Sequence, residues 1–213
     1  MTDDAVEPSG DHYFTADPSV PFRREPFSCE VWGQRLDLVS GSGVYSRGRL
    51  DVGTAVLLRE TEPPEPGSVL DLGCGYGVIG LGVAAAWRAR GVAAGPAQVS
   101  GIDVNERAVL LANENAAALG LADVFTASVP GSLPEAPTFD EIWSNPPIRI
   151  GKPALHGLLL RWLPRLKPDG RAVMVVGKNL GADSLQRWLG EQGYPTRRLA
   201  SAKGFRVLES RGA

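Results

Sequence analysis

The chain has 213 residues, of which 43% are hydrophobic and 22% charged, and its formal net charge is −2. These values are typical of a folded globular domain and exclude a chain that is disordered throughout. The sequence has no apolar run long enough to span a bilayer and no repeat of fixed period, and its acidic N-terminus lacks the pattern of a signal peptide. We therefore expect a cytoplasmic protein with no membrane partner.

Charge is distributed unevenly along the chain. Residues 1–30 hold seven acidic and two basic side chains, whereas residues 149–213 hold 13 basic and four acidic ones, a net charge of +9. A basic region of this size could bind a polyanion. The same charges could also lie scattered over solvated helix faces, so charge alone leaves both interpretations open.

The predicted elements begin with an arm and a small cap. Residues 1–26 are polar and rich in proline, and we expect them to form a flexible arm. Alternating apolar residues over Phe27–Val39 predict a β-hairpin, and Asp51 is a suitable N-cap for the helix that follows. A proline-rich break then separates this cap, residues 27–60, from a core at residues 68–213 of the same single domain.

Strands and helices alternate through the core. Strands are predicted at residues 68–72, 98–103, 122–127, 140–144, 171–177, 195–201 and 205–210, and helices at residues 78–90, 106–119, 153–166 and 183–192. Repeated strand–helix units predict a Rossmann-like α/β fold, a mainly parallel seven-stranded sheet with helices on both faces. Since only a short turn joins the last two strands, they must pair as an antiparallel hairpin.

A glycine-rich loop provides the strongest local signal. Val69–Gly77 combines an apolar strand with Gly73, Gly75 and Gly77 just before a predicted helix. Glycine permits positive φ and close approach of a ligand, and amides at the start of a helix face that ligand. The Asp-x-Gly-x-Gly-x-Gly spacing differs from that of dinucleotide binders and of P-loops. It resembles the signature of class I S-adenosylmethionine (SAM) methyltransferases, in which Asp71 would orient the loop and reach the amino group of SAM.

Residues after the next two strands extend this predicted cofactor site. Asp103 follows the second core strand, where a carboxylate can accept both ribose hydroxyls. In the same class of enzyme, Val104 and Asn105 would flank the adenine, and Ser128 would meet its amine. Taken singly, Asp71 and Asp103 could be a helix cap and a surface acid, but together with the three glycines they predict SAM binding.

The tripeptide Asn145-Pro146-Pro147 follows the fourth core strand. At this position it is typical of methyltransferases that modify planar amino nitrogens. The Asn145 side-chain oxygen and the Pro146 carbonyl can each accept an N–H and thereby direct the nitrogen lone pair at the sulfonium methyl. A simple turn is the alternative, and the preceding glycine loop argues against it. Ile148 replaces the aromatic residue usual in enzymes for DNA adenine or protein glutamine, which disfavours both substrates.

Together these motifs resemble the methyltransferase small family, which includes the RsmC-like ribosomal RNA guanine-N2 methyltransferases. The stretches that carry the resemblance are His12–Phe14, Gly43–Ser46, Asp51–Thr54, Asn145–Lys152 and Lys178–Ser184. It implies SAM as the methyl donor and guanine N2 of small-subunit ribosomal RNA as the acceptor. It also implies site roles for Tyr45, Arg47 and Thr54 over the methionine end of SAM, Ile148 and Arg149 beside the target base, and Lys152 and Lys178 against phosphate.

Other functions remain open at this stage. A SAM-dependent enzyme could act on a protein glutamine amide or on adenine N6 of DNA, and a non-catalytic RNA-binding module could retain the same fold. His12 and His156 have no cysteine or acidic residue at the spacing of metal ligands, so no metal site is expected.

Overall fold

The computed structural model describes residues 21–93, 95, 97–133 and 138–212. Three single 3₁₀ turns, at Ile148–Ile150, Leu163–Arg165 and Lys178–Leu180, interrupt the main elements. In chain order the main elements are β1 (Arg24–Val31), β2 (Gln34–Gly41), α1 (Val52–Arg59), β3 (Ser68–Leu72), α2 (Val78–Ala89), β4 (Gln98–Ile102), α3 (Glu106–Ala118), β5 (Phe125–Ser128), β6 (Phe139–Ser144), α4 (Lys152–Trp162), β7 (Leu166–Gly177), α5 (Ala182–Glu191), β8 (Thr196–Ala202) and β9 (Phe205–Arg211).

The main sheet has seven strands in the order β5-β4-β3-β6-β7-β9-β8. Neighbouring strands are parallel from β5 to β7, whereas β9 runs antiparallel between β7 and β8. This arrangement confirms the predicted Rossmann-like fold with its antiparallel closing hairpin. The chain builds outward from β3 in one direction and from β6 in the other. A crevice at the carboxyl ends of β3 and β6 is therefore the expected ligand site of this topology.

A separate hairpin of β1 and β2 covers one face of the core. Its strands pair from Arg24 with Gly41 to Val31 with Gln34, around a two-residue turn in which Trp32 and Gly33 both have positive φ. The hairpin begins at Arg24, so the end of the predicted arm belongs to β1, while residues 1–20 and their His12–Phe14 stretch lie outside the described residues.

The junction between α4 and β7 differs from the prediction. The helix ends at Trp162 rather than at residue 166 because Pro164 has no N–H to continue the helical bonding. The predicted turn at residues 167–170 lies inside β7, as a bulge between the pairs Phe139–Leu166 and Glu141–Arg171. The bulge lets β7 join the sheet earlier than its apolar run indicates.

Apolar side chains are buried on both faces of the sheet. One buried cluster joins the hairpin and α1 to α2 and α3, and a second lies under α4 and α5. Trp87, Trp143 and Trp162 are fully buried in these clusters. Within the part of the chain that the structure describes, no helix is long and apolar enough to cross a membrane.

Candidate active site

A cavity of about 490 Å³ opens at the carboxyl ends of β3, β4 and β6. This volume is in the range of sites for small molecules and cofactors. Its walls come from the glycine loop after β3, the segment after β4, the Asn-Pro-Pro tripeptide after β6 and the start of α1. The two motifs that the sequence singles out therefore meet at the switch point of the sheet.

Glycine is needed at the three loop positions for two different structural reasons. Gly73 and Gly75 have φ of +74° and +55°, and a Cβ added at Gly75 would meet nothing within 4 Å. At Gly73 the first neighbour would be Pro147 Cδ at 4.0 Å, so both backbones face open cavity. A Cβ on Gly77 would lie 2.9 Å from Leu81 Cδ1, which makes this glycine a packing residue at the start of α2.

Asp71 lies beneath the loop, in the core. Its Oδ2 accepts a hydrogen bond of 2.8 Å from the amide of Gly80 in the first turn of α2, whose N-cap residue Gly77 offers no side chain. The carboxylate thus replaces a conventional N-cap and also faces the positive end of the helix dipole. Its Oδ1 is buried and has no hydrogen-bond partner among the described residues.

Burial raises the pKa of Asp71 from 3.8 to about 7; the charge of Asp103 adds to this rise and the Gly80 amide opposes it. The folded protein therefore holds the proton more tightly than the unfolded chain, so stability falls as pH rises from about 4 to about 7. Asp71→Asn mimics the protonated acid. We expect its free energy of unfolding relative to wild type to increase by about 3 kcal/mol between pH 5 and pH 8.

Urea unfolding of both proteins across this pH range measures the difference. Asp183→Asn, a change at an exposed acid in the first turn of α5, is the matched control and should show no such increase. Identical pH profiles for Asp71→Asn and wild type would contradict the assignment of the proton to Asp71.

Asp103 connects the loop to the next segment. Its Oδ2 accepts from the Gly75 amide and its Oδ1 from the Asn105 amide, each at 2.9 Å. Burial raises the pKa of Asp103, while the amides of Asn105, Gly75 and Val104 oppose the rise. Three amides use three of about four lone-pair sites of the carboxylate, so the group retains capacity for a further donor, such as a ribose hydroxyl, at the cavity wall.

The residues beside Asp103 have mixed roles. Asn105 caps α3 by accepting from the amides of Arg107 and Ala108, and it donates to the Gly43 carbonyl at 2.6 Å. Val104 is 45% exposed at the cavity rim. Ser128 pairs with Ile102 across the sheet.

The Asn145 side chain is held in one orientation. Its Nδ2 donates to Asp51 Oδ2 at 2.8 Å and to Thr54 Oγ1 at 2.9 Å, which uses both amide protons. The remaining polar atom, Oδ1, can only accept a hydrogen bond. The Pro146 carbonyl accepts from the Ile148 amide at 2.8 Å around Pro147 at φ −73° and ψ 72°, an inverse γ-turn that fixes its direction.

The structure brings together eleven of the residues predicted for the site. Those lining the cavity are Tyr45, Thr54, Gly73, Gly75, Asp103, Val104, Asn105, Asn145, Pro146, Pro147 and Ile148. Among the described residues, the lining does not include Arg47, which pairs with Glu25, or Asp71, Gly77, Ser128, Lys152 and Lys178. The side chain of Arg149 lies outside the described set.

Other lining residues have no site role predicted from the sequence. Val52 and Leu180 are 53% and 52% exposed and, together with Phe205, form an apolar rim from three distant segments. Asp51 is predicted as a helix cap within one of the family stretches, and the structure adds a contact with Asn145 and a bond of 2.7 Å from the Tyr45 hydroxyl. The position of Asp51 just before a helix indicates only the cap. Its other partners are not visible from the sequence, because Asn145 is remote in the chain and Tyr45 lies in a loop.

The described part of the cavity wall carries acidic but no basic side chains. Asp51 and Asp103 line it, and the described lining residues include no lysine, arginine or histidine. Such a wall suits a cationic ligand and does not suit the pyrophosphate of a dinucleotide. No group of three or more potential metal-ligating side chains occurs among the described residues.

The sheet order and the site at its switch point define a Rossmann-like methyltransferase fold. The chain belongs to the methyltransferase small domain family, whose model matches residues 35–209. The solved structure of the T. thermophilus 16S rRNA N2 G1207 methyltransferase (RsmC), in complex with AdoMet and guanosine, superposes with a TM-score of 0.74. It is 26% identical and covers 92% of this chain, which in turn spans 52% of that one.

Curated relatives agree with this family. The chain is 34% identical over 204 residues to the uncharacterized protein YbxB of Bacillus subtilis, covering 94% of this chain and 98% of that protein. It is 32% identical over 202 residues to ribosomal RNA small subunit methyltransferase C of Pseudomonas aeruginosa, covering 92% of this chain and 57% of that enzyme. The chain thus spans about half the length of the RsmC relatives that it matches.

Proposed function

We propose that the protein is a SAM-dependent N-methyltransferase that acts on guanine N2 of small-subunit ribosomal RNA. The observation that carries the proposal is the fixed pair of acceptors formed by Asn145 Oδ1 and the Pro146 carbonyl at the cavity. Two acceptors from adjacent residues that line the cavity suit a target nitrogen that carries two hydrogens, as an exocyclic amine does.

The residues present fit SAM. Gly73 and Gly75 leave space for a ligand against the backbone, Asp103 offers a carboxylate for the ribose, and the acidic wall suits a sulfonium and an ammonium group. When bound, SAM would supply an electrophilic methyl group, whose bond to sulfur would break as the new N–C bond forms and leave a neutral thioether.

The chain's own residues orient the target amine and need no base. An exocyclic amine is a poor nucleophile because its lone pair is delocalised into the ring. Hydrogen bonds to Asn145 Oδ1 and the Pro146 carbonyl favour a pyramidal nitrogen whose lone pair faces the cavity. Asp51 and Asp103 are already hydrogen-bonded, so the proton leaves to solvent after the new N–C bond has formed.

Two features of the site bear on the substrate class: the first disfavours DNA adenine and protein glutamine, and the second favours a nucleic acid over a protein. Ile148 gives the target an aliphatic neighbour instead of an aromatic platform. Lys178 and Lys203 are exposed on one lip of the cavity. They lie close together because the Lys178 amide donates to the Gly204 carbonyl at 2.8 Å, which ties the 3₁₀ turn to the β8–β9 turn. The relatives named for ribosomal RNA modification point to the same substrate.

Reversal of both charges tests this docking surface. If Lys178 and Lys203 each meet one phosphate, Lys178→Glu/Lys203→Glu should raise the KM for RNA and reduce the salt slope of binding by about 1.5 units. SAM affinity should stay unchanged. The control reverses two arginines at the far end of α2, Arg88→Glu/Arg90→Glu. An equal loss of RNA affinity in both variants would contradict a specific role of the lysine pair.

A further inference from the structure

We propose that Asp51 is a positioning residue that fixes which end of the Asn145 side-chain amide, oxygen or NH₂, faces the cavity. Because the oxygen faces the cavity, the site is restricted to substrate groups that donate an N–H. The inference rests on the proposed function, because it concerns the same acceptor site. It assigns to Asp51 a role beyond the capping of α1.

The carboxylate of Asp51 accepts three hydrogen bonds. Asp51 Oδ2 accepts from Asn145 Nδ2 at 2.8 Å and from the Thr54 amide at 3.0 Å, and its Oδ1 accepts from the Tyr45 hydroxyl at 2.7 Å. Three segments of the chain therefore converge on this side chain. Thr54 Oγ1 supplies the second acceptor for Asn145, at 2.9 Å.

The position of Asp51 is set by the packing of α1. Asp51 is the N-cap, with φ −62° and ψ 143°, and the helix that follows buries Val56, Leu57 and Leu58. The helix packs against β7 and β9 of the main sheet. The carboxylate is thus held by a rigid element, and the cap bond to Thr54 fixes its rotamer.

The chemistry follows from what a carboxylate can do. An asparagine can present either an oxygen or an NH₂ group to a cavity, and the two orientations have nearly the same shape. A flipped Asn145 would place its Oδ1 against Asp51 Oδ2 at the present 2.8 Å, so that two acceptors would face each other. Asn145 therefore keeps its oxygen for the ligand, and a carbonyl or an unprotonated ring nitrogen of a substrate finds no donor there.

The serine variant Asp51→Ser separates this role from the cap. Serine caps helices as well as aspartate does, but its side chain is too short to keep the bond to Asn145. We expect kcat to fall by about 10- to 100-fold, as for a misplaced reacting group, with the melting temperature nearly unchanged. SAM affinity should fall much less than kcat, because the acidic wall keeps Asp103. The control Asp37→Ser, at an exposed acid of the hairpin, should leave kcat unchanged.

The conservative variant Asp51→Asn should recover most of the lost rate. Its single oxygen can replace Oδ2 toward Asn145 and Thr54, and its NH₂ can donate to the Tyr45 hydroxyl. A fall in SAM affinity as large as the fall in kcat would overturn the proposal, since Asp51 would then be a cofactor ligand. Equal loss in the asparagine and serine variants would overturn it as well, because the charge rather than the geometry would be required.

An NMR readout keeps the inference separate from the substrate assignment. In ¹⁵N-labelled protein, the Asn145 side-chain amide signals, assigned by their loss in Asn145→Ala, should be protected from exchange in wild type and unprotected in Asp51→Ser. Unchanged protection would overturn the positioning role even if methyl transfer occurs. If protection is lost in Asp51→Ser as expected but the protein modifies no RNA, the orientation assigned to the Asn145 amide stands and only the proposed function is refuted.

Discussion

Replacement of Asn145 with alanine is expected to reduce the rate of methyl transfer by about 10²- to 10³-fold, while SAM affinity changes little. The variant removes one of the two acceptors that orient the target amine, and this contact matters most when the nitrogen becomes pyramidal. It leaves Gly73, Gly75 and Asp103 in place. Single-turnover transfer of labelled methyl measures the rate, and calorimetry with SAM measures the affinity.

A matched control for this variant is Asn113→Ala. Asn113 lies on α3, away from the Asn-Pro-Pro segment, and its side chain makes two hydrogen bonds with the backbone of Ala127. The control should lower stability and leave the single-turnover rate near that of wild type. Equal loss of rate and SAM affinity in Asn145→Ala would refute the orientation role of Asn145.

Replacement of Asp103 with alanine is expected to weaken SAM binding by about 10- to 100-fold, the effect of losing charge-assisted hydrogen bonds. Two losses combine in this variant. The ribose loses its acceptor, and the amides of Gly75 and Asn105 lose the carboxylate that holds the loop. Calorimetric titration with SAM measures the change, and the rate at saturating SAM should fall far less than the affinity.

Asp103→Asn distinguishes the two losses. Its amide keeps one acceptor oxygen and has nearly the same volume, so an intermediate affinity is expected. Asp123→Ala, at an exposed acid that pairs with Arg88 at the end of α2, should bind SAM as wild type does. An unchanged affinity in Asp103→Ala would remove Asp103 from the cofactor site.

The fold could be predicted from local patterns because each element carries its own signal. Strand β3 has the predicted limits, Ser68–Leu72, since an apolar run there is bounded by Pro-Gly on one side and by the glycine loop on the other. The parallel sheet and its antiparallel end follow from the order of elements and the length of the last turn. Deviations occur where backbone chemistry interrupts a pattern, as Pro164 does at the end of α4.

The site could be predicted only where its residues share a motif. Alternation along β3 places Leu70 and Leu72 on one face and Asp71 on the other, under α2, which explains why Asp71 lies below the loop instead of on the cavity wall. Leu180 and Phe205 reach the rim through long-range packing that no local spacing encodes. The second role of Asp51 is hidden for the same reason, because its partner Asn145 is 94 positions away.

The acceptor is tested most directly by methyl transfer from labelled SAM to naked small-subunit ribosomal RNA, the assembled small subunit, DNA and bulk protein, followed by nucleoside analysis. We predict label in one or both ribosomal samples, recovered as N2-methylguanosine. Label in DNA as N6-methyladenine, or in protein glutamine, would contradict guanine N2 as the target and assign the Asn145–Pro146 acceptors to another amino nitrogen.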